Sequence, residues 1–317
     1  MTVTAPGGSP TDRAPGPSLA VVFVTHDTRD EVLAALDTVA ADPERPTDLE
    51  VVVVDAGSRD GTVAAVRARA DGTRVLALAN TGFGRGANAG VRATSARFVL
   101  VANADVRVQP GALQRLAAAL AAEDDVAGVG PQVRYPSGAL QASARRELDA
   151  ATVLGHAALG RLWLENPWTR RYHARDLPSD VPREVSWLSG CALLLRREAL
   201  ESVGGFDPGY FLYVEDVDLG DRLRAAGWRL RYEPAAVVEH RVGASTSRAR
   251  LTALRHHAVS LDRYLARRLR GAGRLLRPLL PVALAAWAVV TALSERRGAA
   301  RSTTGERLEV PGRSGSR

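Results

Sequence analysis

The sequence of 317 residues contains no lysine, and all of its 42 basic residues are arginine. Together with the abundance of alanine, valine and glycine, this bias is typical of a GC-rich coding sequence. The net charge of +7 therefore does not by itself indicate a nucleic acid or a membrane as the partner. The positions of the arginines along the chain have to be considered first. A single cysteine, Cys191, excludes an intramolecular disulfide and any zinc cluster built on several cysteines. No uncharged apolar run reaches the roughly 20 residues that a membrane-spanning helix needs.

The first 18 residues are rich in proline, glycine, serine and threonine and have no apolar core. This composition predicts a disordered leader rather than a secretory signal. A cytoplasmic location is therefore the starting expectation. The chain is long enough for one large domain or two modest ones, and its apolar and charged fractions of 46% and 24% are ordinary for a globular protein.

Short apolar runs alternate with helical patterns over the first 130 residues. Buried strands are predicted at residues 19–24, 49–54, 75–79, 97–102 and 126–129, and helices at about residues 29–41, from 60, and after Pro110. Strands that alternate with helices of about a dozen residues predict right-handed βαβ units and a mainly parallel sheet. The expected fold class is therefore α/β, with helices on both faces of a Rossmann-like sheet.

The pattern changes after Pro131. Extended segments are predicted over residues 131–147 around a turn at 136–138, then a helix over 150–165 and a polar, aromatic-rich loop over 166–183. Further on, the sequence predicts one strand over 185–195, a helix over about 214–226, and two short strands at 229–232 and 236–239. The second half of the chain therefore does not continue the regular alternation of the first.

The last part of the chain carries much of the arginine. Leucines recur at three- and four-residue spacing over residues 251–269 with arginines between them, which predicts a basic amphipathic helix. Residues 279–293 are apolar apart from Pro281 and Thr291 and are flanked by arginines, which predicts a re-entrant or interfacial membrane segment, with a packed core helix as the alternative. Residues 294–317 are predicted to be a disordered tail. Arginine beside apolar residues favours membrane contact over nucleic-acid binding.

Polar residues follow two of the predicted strands, at the edge where open α/β sheets bind ligands. Asp105 fits either a metal ligand held against a diphosphate or the cap of a turn. Asp55 fits either a contact to a base or ribose or the cap of the helix that follows. The glycine-rich segment at 80–90 (NTGFGRGANAG) is not a dinucleotide fingerprint; it fits close backbone approach to a phosphate or sugar, or a tight turn.

Two carboxylates, Glu215 and Asp216, open a predicted helix, where the helix dipole alone would favour them. The aromatic segment at 205–213, which glycine and proline interrupt, predicts a pocket beside them. This makes the pair a candidate general base toward a hydroxyl nucleophile. His240 ends a predicted strand and is a candidate metal ligand if Asp105 binds a metal; a structural histidine is the alternative.

Seven segments of the chain form a series: VTHD, VVVDAGSRDGT, NTGFGRGANAG, VANAD, WLSGCALLLRREAL, GGFDPGYFLYVEDVDLGDRLRAAGW and VVEHRVGAS. This series resembles the family 2 glycosyltransferases with a GT-A fold. Within the family it is similar to bacterial rhamnosyltransferases that act on polyprenyl-diphosphate-linked GlcNAc. The resemblance covers about residues 19–265. It implies a glycosyltransferase domain at 19–247, with a nucleotide-sugar half at 19–130 and an acceptor half at 131–247, followed by a membrane-associating helical extension at 248–293.

The resemblance also implies roles for individual residues. Asp105 would be the metal-binding carboxylate of an Asp-x-Asp position, with Asn103 in place of the first Asp, and His240 would complete the shell of Mg²⁺ or Mn²⁺. Contacts to the nucleotide sugar are implied for Thr25, Asp55, Gly84, Arg85, Asn88 and Asn103. Asp216, the second residue of the Glu215–Asp216 pair, would be the catalytic base, and the acceptor site would be shaped by Trp187, Ser189 and Gly190. Ala56 departs from the family, in which many members carry a second Asp or Asn.

The implied reaction is an inverting, metal-dependent transfer of a sugar to a lipid-linked saccharide in cell-wall or surface polysaccharide assembly, at the cytoplasmic face of the cell membrane. The expected donor is dTDP-L-rhamnose, although transferases of galactofuranose and other sugars share the motifs. A nucleotidyltransferase of the same fold and a non-catalytic nucleotide-sugar-binding module are the alternatives from other classes. No nucleic-acid partner is expected.

Overall fold

The computed structural model describes residues 19–145, 163, 165–172, 179–241 and 250–269, with single positions at 152, 159, 277, 278 and 281. The predicted leader at 1–18, most of the predicted helix at 150–165, most of the apolar segment at 279–293 and the tail at 294–317 lie outside these residues. The chain divides into two compact units, one formed by Met1–Phe211 and Glu215–Ser245 and the other by Leu212–Val214 and Thr246–Arg317.

The described strands and helices fall mainly in the first unit. The strands are β1 (Leu19–Thr25), β2 (Glu50–Ala56), β3 (Arg74–Leu78), β4 (Phe98–Asn103), β5 (Val106–Val108), β6 (Val126–Arg134), β7 (Leu140–Gln141), β8 (Ala144–Arg145), β9 (Arg183–Val185), β10 (Trp187–Leu188), β11 (Ala192–Arg196) and β12 (Arg229–His240). The helices are α1 (Arg29–Ala40), α2 (Thr62–Ala68), α3 (Phe83–Arg92), α4 (Ala112–Ala121), α5 (Pro167–Tyr172), α6 (Arg197–Ser202), α7 (Glu215–Ala225) and α8 (Arg250–Arg268).

A central sheet runs in the order β3-β2-β1-β4-β11-β6-β12-β5. The first four strands in this order are parallel to one another, as are β6 and β12. The predicted α/β class with a mainly parallel sheet is confirmed. One feature was not predicted: β11 runs antiparallel between β4 and β6, so residues 192–196 separate two strands that precede them in the chain.

Both faces of the sheet are covered, because the middle residues of its central strands are apolar on both sides. Val21 and Phe23 of β1 pack on one side with the apolar faces of α1 and α4, whereas Ala20 and Val22 pack on the other with α3, α6 and α7. Strands buried on both faces are typical of parallel sheets. The polar residues that follow such strands therefore come to lie at one edge of the sheet.

Three predicted boundaries in the second half need correction. The single strand predicted over 185–195 is divided into β9, β10 and β11, because the backbone N–H groups of Ser189 and Gly190 leave the ladder to donate to Ser143 O and to Asp216. The two short strands at 229–232 and 236–239 are one strand, β12, with a register shift between Glu233 and Val237.

The third correction concerns the loop predicted over 166–183, which contains the short helix α5. The buried Asn166 begins it, since its Oδ1 accepts the N–H of Thr169 at 2.8 Å in the manner of an N-cap. The turn predicted at 136–138 is present between β6 and β7, where Tyr135 and Ala139 are hydrogen-bonded. The extended segments expected around that turn are thus confirmed as far as residue 145.

The second unit is described mainly through α8, which occupies the position of the predicted amphipathic helix. Its arginines at 255, 267 and 268 are exposed, while the leucines at 254, 261 and 265 are half-buried. The hydroxyl of Ser260, which is 3% exposed, donates to Leu212 O at 2.8 Å. Among the described residues, no helix combines the length and apolarity needed to cross a membrane.

Candidate active site

The carboxyl ends of β2, β1 and β4 lie side by side and bring the first group of candidate residues together. Thr25 pairs with Asp55 across β1 and β2, and Val24 pairs with Asn103 across β1 and β4. Asp105 follows two residues after Asn103. This is the edge where parallel sheets bind their ligands, so the structure groups residues that the sequence separates by about 80 positions.

Asp55 is 1% exposed and uses its two oxygens differently. Oδ1 accepts the N–H of Ser58 at 3.0 Å, whereas Oδ2 is buried and has no hydrogen-bond partner among the described residues. The helix that follows, α2, is preceded by Gly61 and not by Asp55, so the alternative of a helix cap is wrong. Burying a carboxylate oxygen without a hydrogen-bond partner costs free energy. Asp55 Oδ2 is therefore a candidate acceptor for a ligand donor such as a base N–H.

The loops after β1 and β2 are tied together by contacts that the sequence did not indicate. His26 Nδ1 lies 2.8 Å from the carbonyl oxygen of Ala56. Asp27 accepts the N–H of Arg59 at 2.7 Å through Oδ1. Its own N–H donates to Ser58 Oγ at 2.9 Å. Asp27 has a left-handed backbone with φ of 51°. These bonds fix the loops that follow Thr25 and Asp55 relative to each other.

The glycine-rich segment forms the start of α3. Asn88 is held by the backbone of Phe206, donating to Phe206 O at 2.8 Å and accepting Phe206 N–H at 2.9 Å. Arg85 donates through Nε to Pro208 O at 3.0 Å and is exposed. A Cβ on Gly84 would lie 3.1 Å from Phe206 Cβ. The donor contacts implied for Gly84, Arg85 and Asn88 stay predictions; the structure shows that these residues anchor the loop at 205–211 against α3.

Gly82 allows the loop at 205–211 to pack closely against the start of α3, because it has no side chain. Its φ is +102°, and a Cβ would lie 2.7 Å from Phe211 Cα and 2.9 Å from the Phe211 carbonyl carbon. Gly82→Ala is expected to destabilise the protein by about 1–3 kcal/mol more than Gly61→Ala, because only Gly82 adds overpacking to the cost of a left-handed backbone. Gly61 has φ of +85° and, in the described structure, nothing within 4 Å of its Cβ position. Thermal unfolding of the two variants measures the difference; equal losses would contradict the close packing.

Asp105 and His240 form a second group at the sheet edge. His240 Nε2 lies 3.2 Å from Asp105 Oδ1 and 3.4 Å from Asn103 Nδ2, and its Nδ1 lies 3.0 Å from Gln141 Oε1. Burial lowers the pKa of His240, but the hydrogen bonds with Asp105 and Cys191 outweigh burial and raise it to about 10. Gln141, which the sequence did not single out, orients the ring by accepting from Nδ1, so that Nε2 faces Asp105.

The donor set of this group fits a divalent cation. A carboxylate oxygen and a neutral imidazole nitrogen are both accepted by Mn²⁺ and Mg²⁺, which complete their shells with phosphate oxygens and water. Binding of such an ion would displace the Nε2 proton that Asp105 stabilises on His240. The part of the chain that the structure describes holds no cluster of three or more His, Cys, Asp and Glu side chains suited to a metal. Two protein ligands that leave positions open are the arrangement expected where a substrate diphosphate shares the ion.

Asp216 lies at the start of α7 and is held by backbone donors. Its Oδ2 accepts the N–H of Gly190 at 2.8 Å, and its Oδ1 accepts the N–H of Val217 at 2.8 Å. A Cβ on Gly190 would lie 3.3 Å from Asp216 Cβ. The next residue, Cys191, accepts the N–H of Asn103 at 2.9 Å through its carbonyl oxygen. Gly190 and Cys191 thus join the carboxylate of Asp216 to the end of β4, which precedes the Asp105–His240 group.

Glu215 is 6% exposed, and its Oε2 has no partner within the described chain. Burial, followed by the adjacent Asp216 carboxylate, raises the pKa of Glu215 to about 8. Burial also raises the pKa of Asp216, against the opposing effect of its two backbone hydrogen bonds. Asp216 is the member of the pair whose two oxygens accept backbone N–H groups, which favours its charged form, whereas Glu215 Oε2 has no such donor among the described residues. The helix dipole stabilises the charged form of a carboxyl at a helix start, so it does not explain a Glu215 that keeps its proton near neutral pH.

The raised pKa of Glu215 makes stability depend on pH. Between its ordinary pKa of 4.5 and about 8, the folded protein holds a proton that the unfolded chain has lost, so the free energy of unfolding falls as pH rises. Glu215→Gln removes this penalty and is expected to stabilise the protein increasingly from pH 5 to 8, with an upper limit of about 4 kcal/mol. Denaturant unfolding at several pH values measures it. The exposed Glu198→Gln is the control, and parallel curves for the two variants would contradict the assignment.

Trp187 lies in β10, and Ser189 and Gly190 lie between β10 and β11. Trp187 and Gly190 both pack on α7. Gly220 of α7 faces Trp187, and a Cβ at Gly220 would lie 2.9 Å from Trp187 Cβ and 3.0 Å from Ser186 O. Ser189 donates its N–H to Ser143 O at 2.7 Å. Of the three residues for which an acceptor contact is predicted, Gly190 therefore contacts Asp216 directly, and Trp187 packs on the helix that carries Asp216.

A family sequence model described as "Glycosyl transferase family 2" matches residues 20–204. The match covers more than half of the chain, and the chain belongs to this family. The protein is a glycosyltransferase, as the series of motifs predicts.

Comparison with individual proteins gives the same class. The sequence is 40% identical over 263 residues to the "N-acetylglucosaminyl-diphospho-decaprenol L-rhamnosyltransferase" of Mycobacterium tuberculosis, which covers 79% of this chain and 84% of that protein. The fold is similar to the mannosyltransferase PcManGT from Pyrobaculum calidifontis, solved in complex with GDP-Man and Mn²⁺ (TM-score 0.55, 22% identity, 95% of this chain and 84% of that chain). It is also similar to GalNAc-T7 solved with UDP, GalNAc and Mn²⁺ (TM-score 0.54, 16% identity, 71% and 44%). At these identities the two structures show the fold.

Proposed function

We propose that the protein transfers L-rhamnose from dTDP-L-rhamnose to a polyprenyl-diphosphate-linked GlcNAc, with inversion at the anomeric carbon. The observation that carries the proposal is the placement of Asp216, whose carboxylate accepts the N–H of Gly190, next to Cys191, which in turn is hydrogen-bonded to Asn103 at the end of β4. The name of the M. tuberculosis relative supports the sugar and the acceptor. Transfer to a lipid-linked saccharide is a step of cell-wall or surface polysaccharide assembly.

The donor would bind along the carboxyl edge of β2, β1 and β4. Asp55, with its buried Oδ2, accepts a hydrogen bond from the base, and Thr25 lies beside it. Arg85, which is exposed in the first turn of α3, would supply positive charge to the diphosphate. Asp105 and His240 would hold Mg²⁺ or Mn²⁺, which supplies positive charge to the leaving diphosphate when bound.

Asp216 acts on the acceptor. As the acceptor hydroxyl oxygen forms its bond to the anomeric carbon, its proton passes to the Asp216 carboxylate and the bond to the nucleoside diphosphate breaks. Attack from the face opposite the leaving group inverts the configuration, so a single displacement needs no nucleophile from the enzyme. Glu215, kept neutral by burial and by the neighbouring charge, adds no second negative charge to repel the leaving diphosphate.

A polyprenyl-linked acceptor lies in a lipid bilayer, so the enzyme would act at a membrane surface. The exposed arginines of α8 and the apolar residues 279–293 would bring the enzyme to an anionic lipid surface, and nucleotide sugars place the reaction on the cytoplasmic side. The lipid-linked acceptor then stays in the bilayer while its sugar enters the site.

A donor panel tests the proposal. Purified protein with Mg²⁺ is incubated with several nucleotide sugars, with and without a prenyl-diphosphate-GlcNAc, and released nucleoside diphosphate is measured. Release of dTDP that depends on both dTDP-rhamnose and the acceptor is expected. Turnover with another donor alone, such as a galactofuranosyl nucleotide, would overturn the rhamnose assignment, and release of inorganic diphosphate would overturn the class of reaction.

A further inference from the structure

The hairpin formed by β6, β7 and the turn between them extends from the edge of the sheet that carries the candidate site. Strand β11 is antiparallel to both β4 and β6, so β4 and β6 run in the same direction. The carboxyl end of β6 therefore lies at the same edge as the carboxyl ends of β1, β2 and β4. Gln141 of β7, whose Oε1 lies 3.0 Å from His240 Nδ1, joins the hairpin to the Asp105–His240 group.

The tip of the hairpin exposes apolar side chains. Tyr135 and Leu140 are 39% and 46% exposed, and Pro136 and Ala139, which lie between them, are exposed as well. The turn is closed by two hydrogen bonds of 2.8 Å, from Tyr135 N–H to Ala139 O and from Gly138 N–H to Tyr135 O. Apolar side chains that a hydrogen-bonded turn holds away from the core are available to an apolar partner.

The hairpin is also positively charged. Residues 132–146 contain three arginines, at 134, 145 and 146, and no Asp or Glu. Arg134 is exposed, and its guanidinium donates to Gln132 Oε1 at 2.8 Å and to Gly138 O at 3.1 Å. Both of these acceptors are uncharged, so the two bonds do not neutralise the arginine. A tyrosine, a leucine and an arginine that are exposed together suit the boundary between the headgroups and acyl chains of an anionic lipid surface.

We propose that the hairpin at residues 134–141 contacts the anionic bilayer in which the lipid-linked acceptor lies. The proposal rests on the proposed function, because the acceptor is what brings a bilayer to the carboxyl edge of the sheet. Tyr135 and Leu140 enter the headgroup region, and Arg134 pairs with lipid phosphate. A contact at this edge turns the candidate active site toward the membrane surface, so the acceptor sugar can enter the site while its lipid stays in the bilayer.

Vesicle binding by the 317-residue protein tests the contact. Wild type, Leu140→Asp and Arg134→Gln are sedimented with phosphatidylcholine vesicles and with vesicles that also contain phosphatidylglycerol. Leu140→Asp is expected to lower the partition coefficient for the anionic vesicles by about 10-fold, because an apolar side chain that the lipid would cover becomes a charge. Arg134→Gln should lower it by about fivefold, the effect of one arginine near an anionic surface, and should not change binding to phosphatidylcholine alone.

Ala226→Asp is the matched control. Ala226 is exposed in the turn between α7 and β12, so it precedes the amino end of a strand whose carboxyl end lies beside the hairpin. A strand of 12 residues spans roughly 40 Å, several times the Debye length of about 8 Å. The added charge should therefore leave vesicle binding within about twofold of wild type. Wild-type binding by both Leu140→Asp and Arg134→Gln would overturn the proposal.

Kinetics distinguish a bilayer contact from a contact with the acceptor itself. With Leu140→Asp, kcat/KM should fall about 10-fold for a long-chain acceptor in vesicles and stay within about twofold for a short-chain acceptor in solution. Equal losses with both acceptors would show that the hairpin binds the acceptor headgroup, and would overturn the proposal. A changed mass of the lipid-free variant in sedimentation would overturn it as well, since the hairpin would then join two copies of the chain.

Failure of the proposed function gives a different result. The wild-type protein would then transfer no sugar to either acceptor, whereas vesicle binding is measured without any donor or acceptor. Loss of vesicle binding by Leu140→Asp and Arg134→Gln, with Ala226→Asp unchanged, would still support the bilayer contact.

Discussion

Asp216→Asn is expected to reduce turnover by about 10²–10⁴-fold, the contribution usual for a general base, while donor binding is retained. The amide has the size of the carboxylate but cannot take up the acceptor proton. It also offers one acceptor oxygen where Gly190 and Val217 both donate, so a loss of about 1 kcal/mol of stability is expected in addition. Steady-state kinetics with donor and acceptor, and donor affinity by calorimetry, measure the two effects separately.

The control for this variant lies on the same helix. Asp221→Asn removes a carboxylate from α7 that is half-buried and lies 3.9 Å from Arg224, and its turnover should stay within about twofold of wild type. If Asp216→Asn retained wild-type turnover, Asp216 would not be the base, and another group would have to take up the acceptor proton. Absence of turnover by the wild-type protein with every donor would instead favour a binding module without catalysis.

Asp105→Asn is expected to lower kcat/KM by about 10²-fold or more and to raise the concentration of Mn²⁺ needed for half-maximal rate. Asp105 is 9% exposed and faces His240, so its charge is the nearest one available to an ion bound at that imidazole. A chelator should stop the wild-type reaction, and Mg²⁺ or Mn²⁺ should restore it. Titration of Mn²⁺ followed by electron paramagnetic resonance measures binding independently of activity.

Asp124→Asn provides the comparison for Asp105. The Asp124 side chain is 93% exposed and only approaches Arg97 and Arg196 at 3.8 Å and 4.0 Å, so its loss should change neither Mn²⁺ affinity nor rate. Full activity of the wild-type protein in excess chelator would contradict the role given to Asp105 and His240.

The sequence pattern predicted the strands and helices whose formation depends mainly on residues that are close together in the chain. Strands β1, β2 and β4 were recognisable because an apolar run that is buried on both faces has few other structures available to it. The insertion of β11 between β4 and β6 was not recognisable, since pairing of residues 192–196 with residues 98–102 depends on contacts between distant parts of the chain. The break at Ser189–Gly190 was missed for the same reason: its partners, Ser143 and Asp216, are remote in sequence.

Some residues of the candidate site could be predicted from the sequence, and others could not. Asp55, Asp105 and Asp216 were found because carboxylates that follow strands or open helices are conspicuous, and the resemblance to family 2 gave them roles. Gln141 was missed because it belongs to no motif. Only the approach of β7 to His240 brings its side chain to the site.

The configuration of the product tests the central claim most directly, because a single displacement by a hydroxyl that Asp216 activates leaves one stereochemical result. The product of the reaction with dTDP-L-rhamnose and a prenyl-diphosphate-GlcNAc is isolated, and the anomeric configuration of the new sugar is read from its one-bond carbon–hydrogen coupling by NMR. We predict the configuration opposite to that of the donor, with dTDP as the released nucleotide. Retention of the donor configuration would contradict the account, since attack by the acceptor hydroxyl from the face opposite the leaving group inverts the configuration.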